Sequence, residues 1–241
     1  MTEAGIRNHA MLFAFLARHT LARCGEAGAA ALREGVIRYG EQRGRRMARR
    51  AAQDGMPLDA ASYLLYGEWQ AAAGETDFHA AQYEPRVELV STVCPWFATW
   101  REAGMLAEGA YYCRDVDAAL ARGFGGPALC LDSNLVRGDG CCAFHFEGPA
   151  LDAAAQQRLA RDAQRLGSRA KLDWDYHTAH LLAVLREAIL TACGADGEAA
   201  VAGALADYAA LFGAPACERL RADAEADFEA LPPYAGIETS A

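Results

Sequence analysis

The sequence predicts an α+β protein that is mostly helical, with a small antiparallel sheet packed against its helices. Segments with apolar residues at helical spacing fill the first and last thirds of the 241 residues. Shorter segments between them have strand-like composition, and an Asp-Gly pair at 139–140 favours a hairpin between the last two. This layout predicts one compact domain over residues 1–241. Its parts are a helical N-terminal part (1–82), a central α+β part (83–148), a helical C-terminal part (149–231) and a frayed tail (232–241).

The N-terminal part begins with two predicted helices. Met1–Cys24 is amphipathic, Gly25 interrupts the pattern, and Glu26–Gln53 continues as a second helix. A third helical segment covers Leu58–Ala73, and the polar stretch Gly74–Gln82 is predicted to be a loop.

The central part alternates strands and helices. Arg86–Val93 is alternating and β-branched, so it is predicted to be a strand. Helices over Trp96–Glu102 and Leu106–Ala121 follow. The strands Pro127–Val136 and Cys141–Glu147 then flank the Asp-Gly turn.

The C-terminal part is helical throughout. The predicted helices are Leu151–Gly167, Trp174–Cys193, Gly197–Phe212 and Pro215–Leu231.

Composition and charge exclude several functional classes. The formal net charge of −9 argues against a nucleic-acid binder, which needs a basic surface. No uninterrupted apolar run approaches the ~20 residues that cross a bilayer, and the charged N-terminus does not resemble a signal peptide. We expect a cytoplasmic homo-oligomer without a membrane partner, whose eight cysteines are thiols and mostly core residues.

Two histidines lie close together at the start of the Trp174 helix. Helical spacing places His177 and His180 on one face with Asp173. A carboxylate and imidazoles on one face can form a general base or bind a metal. They are equally compatible with buried histidines satisfied by hydrogen bonds.

Cys113 and Asp117 are four residues apart in a predicted helix and would face the same way. A thiol needs a nearby base or cation to form a thiolate, and a carboxylate alone raises its pKa. Cys113 is therefore a candidate nucleophile only if His177, His180 or an arginine lies close to it. The alternative is a buried thiol beside a helix carboxylate.

Adjacent cysteines on the last strand point to opposite faces. Cys142 shares its face with Phe144 and Phe146, whereas Cys141 shares the other face with His145. Cys142 is therefore the one predicted to point inward.

Two further features are candidates for substrate binding. Cys94 precedes Pro95 at a strand-to-helix junction, where a helix N-terminus would lower the pKa of a thiol; packing is the alternative. Arg43, Arg45, Arg46, Arg49 and Arg50 crowd one helix. They form either a solvated face or, through one of the first four, an anchor for a substrate carboxylate.

The sequence lacks a P-loop, a G-x-G-x-x-G after a strand, a G-x-S-x-G elbow and an H-E-x-x-H motif. It has CPW at 94–96, YCRDVDAALARGF at 112–124, GDGCCAFHF at 138–146 and WDYHTAHL at 174–181. These blocks resemble the L-2-amino-thiazoline-4-carboxylic acid hydrolase family, over roughly residues 35–190.

The resemblance implies a hydrolase that opens a small five-membered S,N-heterocycle, such as 2-aminothiazoline-4-carboxylate or a thiohydantoin. Water or an enzyme thiolate would add at the amidine carbon, after which the ring C–S bond breaks. We expect catalytic roles for Cys113, Asp117, Cys142, His177 and His180. Cys94, Trp96, Arg46 and Trp174 would bind a substrate that carries a carboxylate.

Two other functions stay open. One is an enzyme that acts on soft metals or organomercurials through thiols and a carboxylate, for which Cys113, Cys142 and Asp117 are suited. A non-catalytic module that binds a small ligand would need only an apolar cavity. No cofactor is expected, although a divalent or soft metal fits the residue types.

Overall fold

The computed structural model describes residues 4–234 and confirms the mostly helical α+β class. The helices, in chain order, are α1 (Ile6–Gln53), α2 (Ala60–Tyr66), α3 (Pro95–Glu102), α4 (Leu106–Cys113), α5 (Val116–Phe124), α6 (Ala153–Leu166), α7 (Trp174–Phe212) and α8 (Ala214–Asp223). The strands are β1 (His79–Gln82), β2 (Glu88–Ser91), β3 (Ala128–Ser133) and β4 (Cys142–Glu147), and a 3₁₀ turn spans Leu135–Arg137.

The chain forms two compact units. Unit 1 holds the residues up to Tyr39 together with Cys94–Val116 and Asp173–Asp227. Unit 2 holds Gly40–Val93, Asp117–Leu172 and the residues from Phe228 onward. That the whole chain forms a single domain stays a prediction.

Unit 1 is helical, and two of its helices break in the same way. α1 breaks at Gly25 and α7 at Gly194, each with φ 53° and ψ −127°. Only glycine adopts this conformation readily, because a side chain would clash with the backbone. The predicted interruption at Gly25 and the predicted end of a helix at Cys193 are therefore confirmed. The thiols of Cys24 and Cys193, each directly before a break, hydrogen-bond to one another.

α7 is also long and apolar enough to cross a membrane by length and composition alone. Core helices pass the same test, and α7 buries sixteen of its residues, among them Leu181, Leu185 and Ile189.

Unit 2 contains the sheet. Its strands are antiparallel, in the order β1-β2-β4-β3. Leu89, Leu129, Phe144 and Phe146 belong to its buried core, and Cys142 packs against that core. The predicted facing of Cys142, Phe144 and Phe146 is thereby confirmed.

Backbone contact also joins helices within unit 2. The second half of α1 meets α5 so closely that a Cβ on Gly44 would lie 2.1 Å from the carbonyl oxygen of Leu120. Glycine is required at such an approach because any side chain would overlap the facing backbone.

Several predicted element boundaries are wrong. The predicted loop at Gly74–Gln82 contains β1, which exists through its pairing with β2 rather than through a pattern of its own. The predicted helix Leu106–Ala121 is two helices, because the Asp115 amide donates to the Tyr112 carbonyl oxygen three residues back and ends α4.

The other differences concern helix ends. α2 covers only part of the predicted Leu58–Ala73 segment, mostly in its first half, and α8 ends at Asp223, before the predicted Leu231. The first helix begins at Ile6, because residues 4 and 5 are not helical, so its predicted start at Met1 is wrong. Of the predicted frayed tail (232–241), residues 232–234 have no helix or strand and the rest lies outside the described residues.

Candidate active site

Unit 1 contains a set of imidazole and aromatic rings, which we call the ring cluster. α1 contributes two members, α3 and α4 one each, and the first two turns of α7 the other three. The members are His9, Tyr39, Trp96, Tyr112, Trp174, His177 and His180. The three histidines and Tyr39 are fully buried.

The rings of the cluster contact one another in edge-to-face and tilted arrangements. The Trp96 and Trp174 ring centroids are 5.6 Å apart, and those of Trp174 and His177 are 5.4 Å apart. The Tyr39 ring lies 4.6 Å from that of His180. Such contacts fix ring orientation, so the imidazoles are held rigidly against aromatic surfaces.

Hydrogen bonds determine the tautomer of His9. The indole Nε1–H of Trp96 donates to His9 Nδ1 at 3.1 Å, so Nδ1 carries no proton. Neutral His9 therefore holds its proton on Nε2 and donates it to the Tyr39 hydroxyl oxygen at 3.0 Å. The Tyr39 O–H is then oriented to donate onward rather than back to His9.

His177 and His180 lie together as predicted, but their carboxylate neighbour has another role. Asp173 is the N-cap of α7, and its carboxylate accepts the Tyr176 amide at 2.6 Å. That Asp173 also acts together with the two histidines stays a prediction.

The two candidate thiols of unit 1 lie at helix ends. Cys94 is the N-cap of α3, with Pro95 in the first helical position as predicted. Cys113 is the last residue of α4, directly after Tyr112 of the ring cluster, and both thiols are half-buried.

The arginine-rich stretch of α1 is only partly solvated. Arg43, Arg46 and Arg50 are buried, whereas Arg45 and Arg49 are exposed and bond to Glu229. The residues at 43, 46 and 50 recur every three or four positions, which puts them on one side of the helix.

The buried carboxylate of Glu68 pairs with two of these arginines. Both Nε and an Nη of Arg46 donate to Glu68 at 2.9 Å, and its other Nη donates to the Phe228 carbonyl oxygen. Arg43 donates to Glu68 at 3.4 Å and stacks over Trp69 at 4.0 Å. Arg46, the predicted carboxylate anchor, thus forms a bidentate ion pair inside unit 2.

Asp117 lies in the first turn of α5 in unit 2. The residue is half-buried, but its carboxyl group lies among protein atoms, and this burial raises its pKa to about 6. Arg43 opposes the shift by favouring the charged form of Asp117.

Two neighbours of Asp117 bear on its role. Burial, and then the negative charge of Asp117, raise the pKa of the Tyr63 hydroxyl. Cys113 and Asp117 do not share a helix as predicted, since α4 ends before α5 begins.

The predicted site residues divide between the two units. Unit 1 holds Cys94, Trp96, Cys113, Trp174, His177 and His180, whereas unit 2 holds Arg46, Asp117 and Cys142. The structure brings the two tryptophans and two histidines of unit 1 together in the ring cluster.

Sequence reasoning missed three members of the ring cluster: His9, Tyr39 and Tyr112. His9 lies four residues before Phe13, on the buried stripe of the first helix, and that spacing could have identified it. Tyr39 lies four residues before Arg43 and could have been found in the same way.

The buried imidazoles of unit 1 and the desolvated carboxyl group of unit 2 are groups that can transfer protons. The family model of the L-2-amino-thiazoline-4-carboxylic acid hydrolases matches residues 5–146. The chain therefore belongs to this family. The match covers α1 to β4 and ends before the block with His177 and His180, which the sequence resemblance included.

No curated protein and no solved structure matches the chain.

Proposed function

We propose that the chain is a hydrolase that opens 2-aminothiazoline-4-carboxylate or a closely similar five-membered S,N-heterocycle. The observation that carries this proposal is the ring cluster of unit 1, in which three buried imidazoles meet aromatic rings. Membership in the family supports the reaction class.

The proposed reaction consumes one water molecule. Water loses a proton to a base while its oxygen bonds to the amidine carbon, and the ring nitrogen takes up a proton as its double bond to that carbon opens. The remaining hydroxyl proton leaves as the carbonyl group forms. The bond from that carbon to the ring sulfur then breaks, and an acid protonates the leaving sulfur. The product is an N-carbamoyl amino acid with a free thiol, and no oxidant or reductant is needed.

Imidazoles suit both proton transfers because their ordinary pKa lies near neutrality. We assign the base and the acid to His177 and His180. The indoles of Trp96 and Trp174 would stack on the flat heterocycle. Tyr39, held by His9, would donate a hydrogen bond to the oxygen that develops at the amidine carbon.

Cys113 offers a second route for the first step. Its thiolate would add to the amidine carbon, and the ring C–S bond would break as an acid protonates the leaving sulfur. Water would then add to the resulting isothiourea, which releases the N-carbamoyl product and the enzyme thiolate. Because Cys113 follows Tyr112 of the ring cluster, this route uses the same unit.

Unit 2 offers a second place for the same reaction. Asp117, with its pKa raised to about 6, is suited to protonate the leaving sulfur, and Arg43 is the cation whose charge acts on it. In this version Arg43 would bind the substrate carboxylate, and the thiolate of Cys142 would be the nucleophile that adds to the amidine carbon before water releases the product.

Thiol release from 2-aminothiazoline-4-carboxylate tests the proposal. Ring opening of a thiohydantoin acid, followed by its ultraviolet absorbance because no thiol is released, is the comparison. We expect His177→Gln and His180→Gln to lower kcat/KM at least about 100-fold. His79→Gln, an exposed position on β1, is the matched control and should leave turnover unchanged. Near-ultraviolet circular dichroism checks that the buried variants keep their packing.

Further variants separate the assignments. Full activity in Cys113→Ala would exclude the thiolate route. Loss of activity in Asp117→Asn and Arg43→Lys, with both histidine variants active, would move the reaction to unit 2. Saturable substrate binding without thiol release by the wild-type protein would contradict the proposal and favour a binding module.

A further inference from the structure

The outer face of the sheet carries a set of side chains that the proposed reaction does not use. β3 contributes Cys130 and β4 contributes His145 and Glu147, all within unit 2. Their Sγ, ring nitrogen and carboxylate oxygen all lie within 4.8 Å of one another. Cys130 and His145 are half-buried, whereas Glu147 is exposed.

Strand register explains why these side chains meet. Cys130 and His145 are directly opposed across the antiparallel pair, and Glu147 follows His145 by two residues on the same face. The opposite face of β4 carries Phe144 and Phe146, which are buried in the core. The sheet therefore presents this set to solvent on a rigid backbone.

A carboxylate already orients the imidazole. Asp132 Oδ2 lies 2.8 Å from His145 Nδ1, so the ring donates Nδ1–H and leaves its Nε2 lone pair available. A carboxylate bound to the far nitrogen is the usual outer partner of a metal-binding histidine, and it fixes the ring and raises its basicity.

The thiol and the remaining carboxylate also contact each other. The Cys130 thiol hydrogen-bonds to Glu147. Burial and then Glu147 raise the pKa of this thiol, with a smaller contribution from Asp132, while Arg86 opposes them. Arg86 itself pairs with Glu88 at 2.7 Å.

We propose that Cys130, His145 and Glu147 bind one Zn²⁺ ion, with Asp132 orienting His145 and solvent in the fourth position. Thiolate, imidazole and carboxylate are the ligands that zinc uses in proteins, and three protein ligands leave one position open. Ligand atoms around tetrahedral zinc are roughly 3.3–3.8 Å apart. The three ligand atoms, which lie within 4.8 Å of one another, therefore reach this spacing when their side chains move by about 1 Å. The Cys130 proton leaves to solvent as the thiolate binds.

This site is independent of the proposed hydrolase reaction. Its ligands differ from the Cys113, Asp117 and Cys142 set considered for soft metals. Because its ligands come from β3 and β4, a bound ion would link the edge strand of the sheet to its neighbour.

Calorimetric titration of the full-length, reduced protein with Zn²⁺ tests the proposal. We expect one equivalent to bind, with affinity at least about tenfold weaker in Cys130→Ser, His145→Ala and Asp132→Asn. Cys141→Ser and His79→Ala are matched controls, as a thiol and an imidazole outside the site, and should bind like the wild type. Because the site faces outward, we expect the variants to fold, and thermal melts without metal check this.

Co²⁺ identifies the ligand directly, since a thiolate bound to Co²⁺ gives a near-ultraviolet charge-transfer band. We expect the band in the wild type and in Cys141→Ser, and its loss in Cys130→Ser. A band that persists in Cys130→Ser, or that disappears in Cys113→Ser or Cys142→Ser instead, would overturn the assignment. So would a wild-type protein that binds neither ion.

Discussion

Replacing Asp117 with asparagine should change how stability depends on pH. In the folded protein burial raises the pKa of Asp117 from 3.8 to about 6. The folded state therefore holds the proton more tightly than the unfolded chain does. This contribution to stability is complete below pH 3.8 and disappears as the pH rises through 6.

The size of the effect follows from the shift. A difference of about 2 pKa units corresponds to about 3 kcal/mol, at 1.36 kcal/mol per unit. Between pH 4 and pH 7.5 the wild type should lose about 2 to 3 kcal/mol of unfolding free energy relative to Asp117→Asn. Asparagine has no proton to lose and keeps nearly the same shape.

Urea unfolding of both proteins across this pH range measures the difference. Asp196→Asn, an exposed position on α7, is the control for the general effect of removing a negative charge. Arg43→Met should move the midpoint of the change to higher pH, because Arg43 favours the charged form of Asp117. A wild-type-to-variant difference that stays constant from pH 4 to 7.5 would refute the reasoning.

Three further predictions concern packing and hydrogen bonds. Glu68→Gln leaves two buried arginines without their carboxylate and should cost about 3–5 kcal/mol of unfolding free energy, measured by urea unfolding; an unchanged midpoint would show that solvent reaches the pair. Gly44→Ala should destabilise by more than about 2 kcal/mol because its Cβ would overlap backbone, whereas Gly140→Ala, with open space around it, should be neutral in the same assay. Trp96→Phe removes the donor to His9 Nδ1, and nitrogen NMR should then show both tautomers of that ring; a single unchanged tautomer would contradict the assignment.

The sequence predicted those features that depend only on residues close together in the chain. The facing of Cys142, the break at Gly25 and Pro95 at the start of α3 each follow from strand alternation or backbone sterics. β1 could not be predicted, because four residues acquire strand structure only when β2 is available to pair with them.

The candidate site could be predicted only in part for a similar reason. The indoles and histidines of the CPW and HTAHL blocks were identified, since both blocks carry unusual residue types close together. The buried position of Arg43 and Arg46 depends on Glu68, which is more than twenty residues away. A charged residue becomes a core residue only through such a partner, and a single helix pattern does not reveal it.

The breaks at Gly25 and Gly194 determine where the two long helices can accept an inserted or deleted residue. An α-helix turns by about 100° per residue, so an unbroken apolar stripe would have to keep its phase over the 48 residues of α1 or the 39 of α7. Each break resets that phase, and the segments before and after it can bury their faces independently. A residue gained or lost at a break is therefore absorbed there, whereas the same change inside a segment would rotate every later side chain away from its contacts.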